Sequence, residues 1–129
     1  MRLTACLTRS ALLLSLAACA QPAHKPVAVF SPAAQAELEQ IRTHFHDGDY
    51  GAVIRQVARS STLPAAAPSQ YSEALKLQAF SFCVRDHVFL CEDRFKQAMA
   101  VDPDFALAQA EQGHPTWGPV YAGLQKEQP

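Results

Sequence analysis

Four cysteines and five histidines have the widest chemical reach in this 129-residue chain, and the position of each limits what it can do. Cys19 directly follows Leu16, Ala17 and Ala18, which close an apolar run from Ala11 preceded by Arg2 and Arg9. A thiol in that place can take a diacylglyceryl group as a thioether, and the small residues before it let a signal peptidase cut beside the modified cysteine. The order of charge, apolar core, small residues and cysteine is a lipobox. Residues 1–18 are therefore the expected lipoprotein signal peptide and Cys19 the expected lipidation site. Cys6 leaves with the signal.

Cys83 and Cys91 remain. Seven residues separate them, which is not the redox Cys-x-x-Cys spacing, and no second cysteine pair completes a zinc site. Two readings stay open: a disulfide across a helical hairpin, in a compartment that oxidises thiols, or two free thiols in the core. His44 and His46 are two apart, which turns them about 200° from each other on a helix, unlike an i, i+4 metal pair. His24 falls in a proline-containing stretch, His87 in a turn, and His114 before Pro115, which favours extended backbone. No Ser, His and acid arrangement is present. The expectation is no metal, no cofactor and no catalysis.

Eleven Lys and Arg stand against twelve Asp and Glu, a net charge of −1. That balance argues against nucleic-acid binding, which needs clustered cations to displace counterions from phosphates. Apolar residues make up 49% and charged residues 18%, the balance of a globular domain rather than a disordered chain. The run Ala11–Ala18 is far short of the roughly 20 residues needed to span a bilayer. The expected attachment is by lipid, whose two or three chains hold firmly where one would not. Ala20 and Gln21 follow Cys19, without the Asp that typically retains a lipoprotein at the inner membrane. The expected location is thus the bacterial outer membrane, facing the periplasm. The mature chain would keep nine cations against twelve acids. Residues 19–31, with Pro22 and Pro26, are the expected lipidated tether, about 40 Å long when extended.

The elements that must position the remaining residues are helices. Leu38, Ile41 and Phe45 recur at helical spacing after Ser31 and Pro32, an N-cap followed by a first-turn proline. Asp47 and Gly48 end that helix. A second, with Tyr50, Val53, Ile54 and Val57 as its stripe, runs to about Ser60. The proline-containing run Ser60–Ser69 reads as a loop. A third helix spans about Ser69–Val84 with Leu75, Ala79 and Phe82 inward. A fourth spans about Val88–Val101 with Cys91, Phe95, Ala98 and Met99. A last helix is predicted over Pro103–Gln112, capped by Asp102 and ended by Gly113. No alternating strand pattern occurs, so the fold class is all-α.

Val53, Val57 and Ser60 match Cys91, Phe95 and Ala98 at a constant offset of 38, and Ile41 matches Ala79. This is a repeat about four residues longer than the 34-residue tetratricopeptide period. Phe45, Gly48, Asp49, Tyr50 and Ile54 resemble that family's turn, and Cys91, Phe95, Ala98 and Pro103 its small, aromatic, Ala and Pro positions. Val53 departs from the usual Ala and Gln78 from the usual Leu. The resemblance implies two helical hairpins over residues 32–124, completed by a C-terminal capping helix and a Pro/Gly/Trp tail.

The string Asp102-Pro103-Asp104-Phe105, then Glu111, Gly113-His114-Pro115 and Trp117-Gly118-Pro119-Val120-Tyr121, after paired cysteines in a short lipoprotein, resembles the TssQ family of type VI secretion-associated tetratricopeptide lipoproteins. The likeness covers residues 11–124. It implies a non-catalytic accessory component beside the secretion system's membrane complex. A pilotin or assembly lipoprotein of another outer-membrane complex is the alternative, and an envelope enzyme or metal carrier a distant one. Trp117 is the only tryptophan. With His114, Pro115, Gly118, Pro119 and Tyr121 it forms either a cap over the last helix or a partner-binding segment, since Trp and Tyr dominate interface hot spots.

Overall fold

The computed structural model describes residues 29–127, and among these every regular element is helical. Helix α1 spans Pro32–His46, α2 Tyr50–Arg59, α3 Pro68–Val84, α4 Val88–Val101, α5 Gln109–Gln112 and α6 Gly118–Glu127. A single 3-10 turn, Leu63–Ala65, interrupts the loop between α2 and α3. The lipobox, Cys19 and residues 20–28 of the tether lie outside the described residues. No described helix is long and apolar enough to cross a membrane.

The helix starts follow from local chemistry. Ser31 Oγ accepts the Ala34 amide at 3.2 Å, and Pro32 fills the first turn, where its missing N–H costs nothing. Asp49 does the same for α2, accepting the Ala52 amide at 2.9 Å. Gly48, at φ 75°, makes the reversal between them in the left-handed region that glycine enters freely. The proline-containing loop is pinned: Ser60 Oγ accepts the Thr62 and Leu63 amides and donates to Glu37 Oε2 at 2.8 Å, while Leu63 is fully buried.

Helix α3 is the centre of the molecule. It packs against α1, α2 and α4 and meets the C-terminal segment, so it buries residues on nearly every side, from Gln70 and Ala74 through Leu77 and Phe80 to Cys83. The predicted inward stripe of Leu75 and Ala79 is there, but Phe82 is only half-buried, while Phe80 is at 2% exposure. Its start is tied to α1 by a reciprocal pair: Ser31 N donates to Gln70 Oε1 at 2.8 Å and Gln70 Nε2 to Ser31 O at 2.9 Å. Three of the four pairs related by the 38-residue offset are core residues in both copies, with Ile41, Ala79, Val53 and Cys91 all at 0% exposure; in the fourth Ala98 is buried and Ser60 only half-buried.

The C-terminal region corrects the sequence reading. The helix predicted over Pro103–Gln112 exists only as the single turn Gln109–Gln112. Pro103 forces Asp102 to be extended (φ −127°, ψ 104°), and the Asp102 carboxylate then accepts the Asp104 amide in a local turn instead of capping a helix. The predicted tail, in turn, is helical: α6 starts at Gly118 with Pro119 in its first turn and runs past residue 124 to Glu127. Tyr121 and Leu124, three apart on α6, are its buried stripe and pack toward α4.

Candidate functional site

Cys83, at the end of α3, and Cys91, in the first turns of α4, are joined by a disulfide with Cα atoms 5.2 Å apart. Both are buried, Cys91 completely. Between them Arg85, Asp86 and His87 make the turn, with Asp86 at φ 60°. The bridge reading of the two cysteines is the one this geometry contains.

The residues singled out around Trp117 come together, but facing inward. Trp117 lies between two rings: Phe80 stacks at 4.1 Å and 16°, His114 at 3.3 Å and 1°. Phe45 meets it edge-on at 6.5 Å, and its Nε1–H donates to the Glu111 carbonyl at 2.9 Å. Trp117 retains 8% exposure and Tyr121 2%. Gly118 is buried, and a Cβ there would collide with the Gln112 carbonyl oxygen, so only glycine lets the chain turn back this tightly. Pro115 and Pro119 are exposed on the outside of the turn and His114 is half-buried. In this packing Trp117 caps Phe80 of α3 and Phe45 of α1 and bonds to the short helix α5 through the Glu111 carbonyl.

Lys76 holds the cap to α3. Its Nζ reaches Glu73 at 2.7 Å and Glu111 at 2.8 Å and lies 5.9 Å from the Phe80 ring centroid. Glu111 also accepts the Ala108 amide at 2.8 Å. Burial works against the charge on Lys76, but the hydrogen bonds and charges of Glu111 and Glu73 outweigh it and raise the ammonium's pKa above the ordinary 10.5. A raised folded pKa stabilises fully below the unfolded value and is lost as pH rises through the folded one. Stability is therefore expected to hold up to about pH 10.5 and decline above it. Urea titrations between pH 9 and 12 check this, and Lys76→Met should remove that part of the decline.

A groove of about 330 Å³ opens between α2 and α4, with Leu75, Gln78 and Phe82 of α3 against Ile54, Val57 and Arg94. Gln78 is 2% exposed; its Nε2 donates to the Ile54 carbonyl at 2.9 Å, while its Oε1 has no hydrogen-bond partner. Arg94 reaches Gln97 at 2.6 Å and Asp93 at 3.0 Å, yet its Nε is buried and unpartnered. Buried polar groups are almost always paired, and an unsatisfied one costs about 1–3 kcal/mol. Two in one groove mark it. Sequence reasoning singled out neither residue as functional; the available signal was Gln78 standing where the repeat has Leu.

The remaining polar candidates stay apart. His44 and His46 lie at the end of α1, half-buried and exposed, and His87 is exposed in the hairpin turn. Among the described residues no group of three or more His, Cys, Asp or Glu could hold a metal ion. No family model, curated protein or solved structure matches the chain.

Proposed function

We propose that this protein is a lipid-anchored adaptor, attached through Cys19 to the periplasmic face of the bacterial outer membrane, which holds a protein partner without catalysing a reaction. The groove between α2 and α4 carries the reading. Its walls are apolar, and two of its lining residues, Gln78 and Arg94, each keep one buried polar atom, an acceptor and a donor, without a partner; a peptide segment seated in the groove would satisfy them once it drew those side chains toward it. The tetratricopeptide-like repeat of paired helices is a scaffold that presents such grooves rigidly, and the resemblance of the Asp102–Tyr121 region supports a place beside the type VI secretion membrane complex. The tail itself serves the fold in this reading, because its aromatic faces are already used.

Ala58 tests the groove without touching the core, since it lines the groove and is exposed. Ala58→Trp should fill the space, leave the melting temperature within a few degrees of the parent, and abolish type VI-dependent killing of a competitor strain. Cys19→Ser should give the same loss by releasing the protein into the soluble fraction. Killing that survives Ala58→Trp would overturn the groove as the docking site; a Cys19→Ser protein still in the membrane fraction would overturn the anchor.

A further inference from the structure

The α1–α2 and α3–α4 turns lie at one end of the molecule, where residues after each turn line a common crevice and large apolar side chains stay exposed. Val88, Phe89 and Leu90, consecutive in the first turn of α4, are 46%, 87% and 44% exposed, directly before the fully buried Cys91. Phe89 lies two residues from Cys91, about 200° around the helix, so the side held down by the disulfide points Phe89 outward. Beside Leu90 is a crevice of about 230 Å³, lined by Ile54, Phe82 and Leu90 and bounded by the exposed Arg55, Arg85 and His87.

Gly51 keeps that crevice open. A Cβ at Gly51 would lie 3.0 Å from Arg55 Nη1 and 3.9 Å from Arg85 Nη1, so two guanidinium groups draw together over a residue with no side chain. Neither guanidinium forms an ion pair or hydrogen bond among the described residues. The exposed carboxylates of Asp47 and Asp86, in the two turns at the same end, are likewise outside every ion pair described.

We propose that this end is a self-association surface. Phe89 of each copy enters the crevice of the other about a two-fold axis, and Arg55 and Arg85 of one copy face Asp47 and Asp86 of the other. One patch carries a protruding apolar knob and a hollow, with unpaired charge of both signs; such a patch is complementary to itself, which is the requirement of a two-fold interface. An anionic bilayer would take the knob and the arginines but would repel Asp47 and Asp86 and leave the crevice unfilled. The disulfide fixes the knob before association, so little ordering remains to oppose binding. The crevice shares Ile54 and Phe82 with the α2–α4 groove and lies on their other side from Val57, Ala58, Gln78 and Arg94, which belong to the groove alone; the dimer would present two of those grooves at once.

The test uses the full chain in its native envelope, co-expressed with two different tags and carrying p-benzoylphenylalanine in place of Phe89. Irradiation should give a product of twice the chain mass that contains both tags, with residue 89 joined to the 51–55 or 82–90 segment of the second copy. Arg55→Glu with Arg85→Glu should lower its yield at least tenfold, and adding Asp47→Arg with Asp86→Arg should restore it. Adducts only to lipid or to another protein, no adduct at all, or a yield indifferent to the charge reversals would overturn the proposal. Circular dichroism of each charge variant confirms that the helices remain. Ala58→Trp should leave the crosslink intact, which separates this surface from the adaptor groove.

Discussion

Trp117→Ala is expected to lower the melting temperature by roughly 15–30 °C. Replacing a buried aromatic by alanine costs about 3–5 kcal/mol, and each kcal/mol shifts a domain of about 100 residues by about 4–8 °C. The expectation sits at the high end for a residue near the chain end because Trp117 joins elements from both halves of the fold. Its ring contacts Phe80 on α3 and Phe45 on α1, while its N–H closes onto the Glu111 carbonyl beside the Lys76 ion pair. Removing it opens the space between α1, α3 and the C-terminal segment and strips the Phe80 face that faces it. Thermal unfolding followed by circular dichroism measures the effect. A fall of only a few degrees with loss of partner binding would instead make the tail the docking segment.

Helices α1 to α4 were legible because their signals are local. Ser31 with Pro32 and Asp49 after Gly48 are capping arrangements that work within four residues, and the stripes of Leu38, Ile41, Val53 and Val57 need only one partner surface to be satisfied. The C-terminal region was not legible for a physical reason. Asp102-Pro103 is compatible with a helix start and with a local turn, and the turn prevails because the Asp102 carboxylate accepts the Asp104 amide while its second oxygen accepts from the Ser72 hydroxyl at 3.1 Å. That bond to α3 is a tertiary fact, 30 residues away in sequence. Trp117-Gly118-Pro119 reads as a turn by composition, yet a proline in the first helical turn is equally at home, and burial of Tyr121 and Leu124 decides for the helix.

The candidate sites divide in the same way. The pairing of Cys83 with Cys91 was within reach of spacing and helix limits. The orphaned atoms of Gln78 and Arg94 were not, since whether a buried amide is satisfied depends on what lies across the groove. The exposure of Phe89 had a usable signal: counted from Cys91, it falls on the opposite face of α4. Composition hides this, because Val88, Phe89 and Leu90 look like the beginning of a core helix.

The second large effect belongs to the disulfide. Closing so short a loop, eight residues in sequence separation, stabilises by about 2–3 kcal/mol on the chain-entropy model. Cys83→Ala with Cys91→Ala should therefore melt roughly 10–20 °C below the parent protein. The loss should be uneven. The first turn of α4 has little burial of its own, with Phe89 87% exposed and Val88 and Leu90 nearly half exposed, so Cys91 is its chief hold on the core. Farther along, Phe95 and Ala98 are fully buried and keep the helix attached. Without the bridge, hydrogen exchange should quicken first at the amides of the Arg85–Asp93 segment and change least at Phe95–Met99. Reducing the parent under mild denaturant should reproduce the shift, which separates the bridge from the loss of sulfur packing in the alanine pair. A melting temperature unmoved by reduction, with both thiols recovered free, would mean that packing alone holds the hairpin closed.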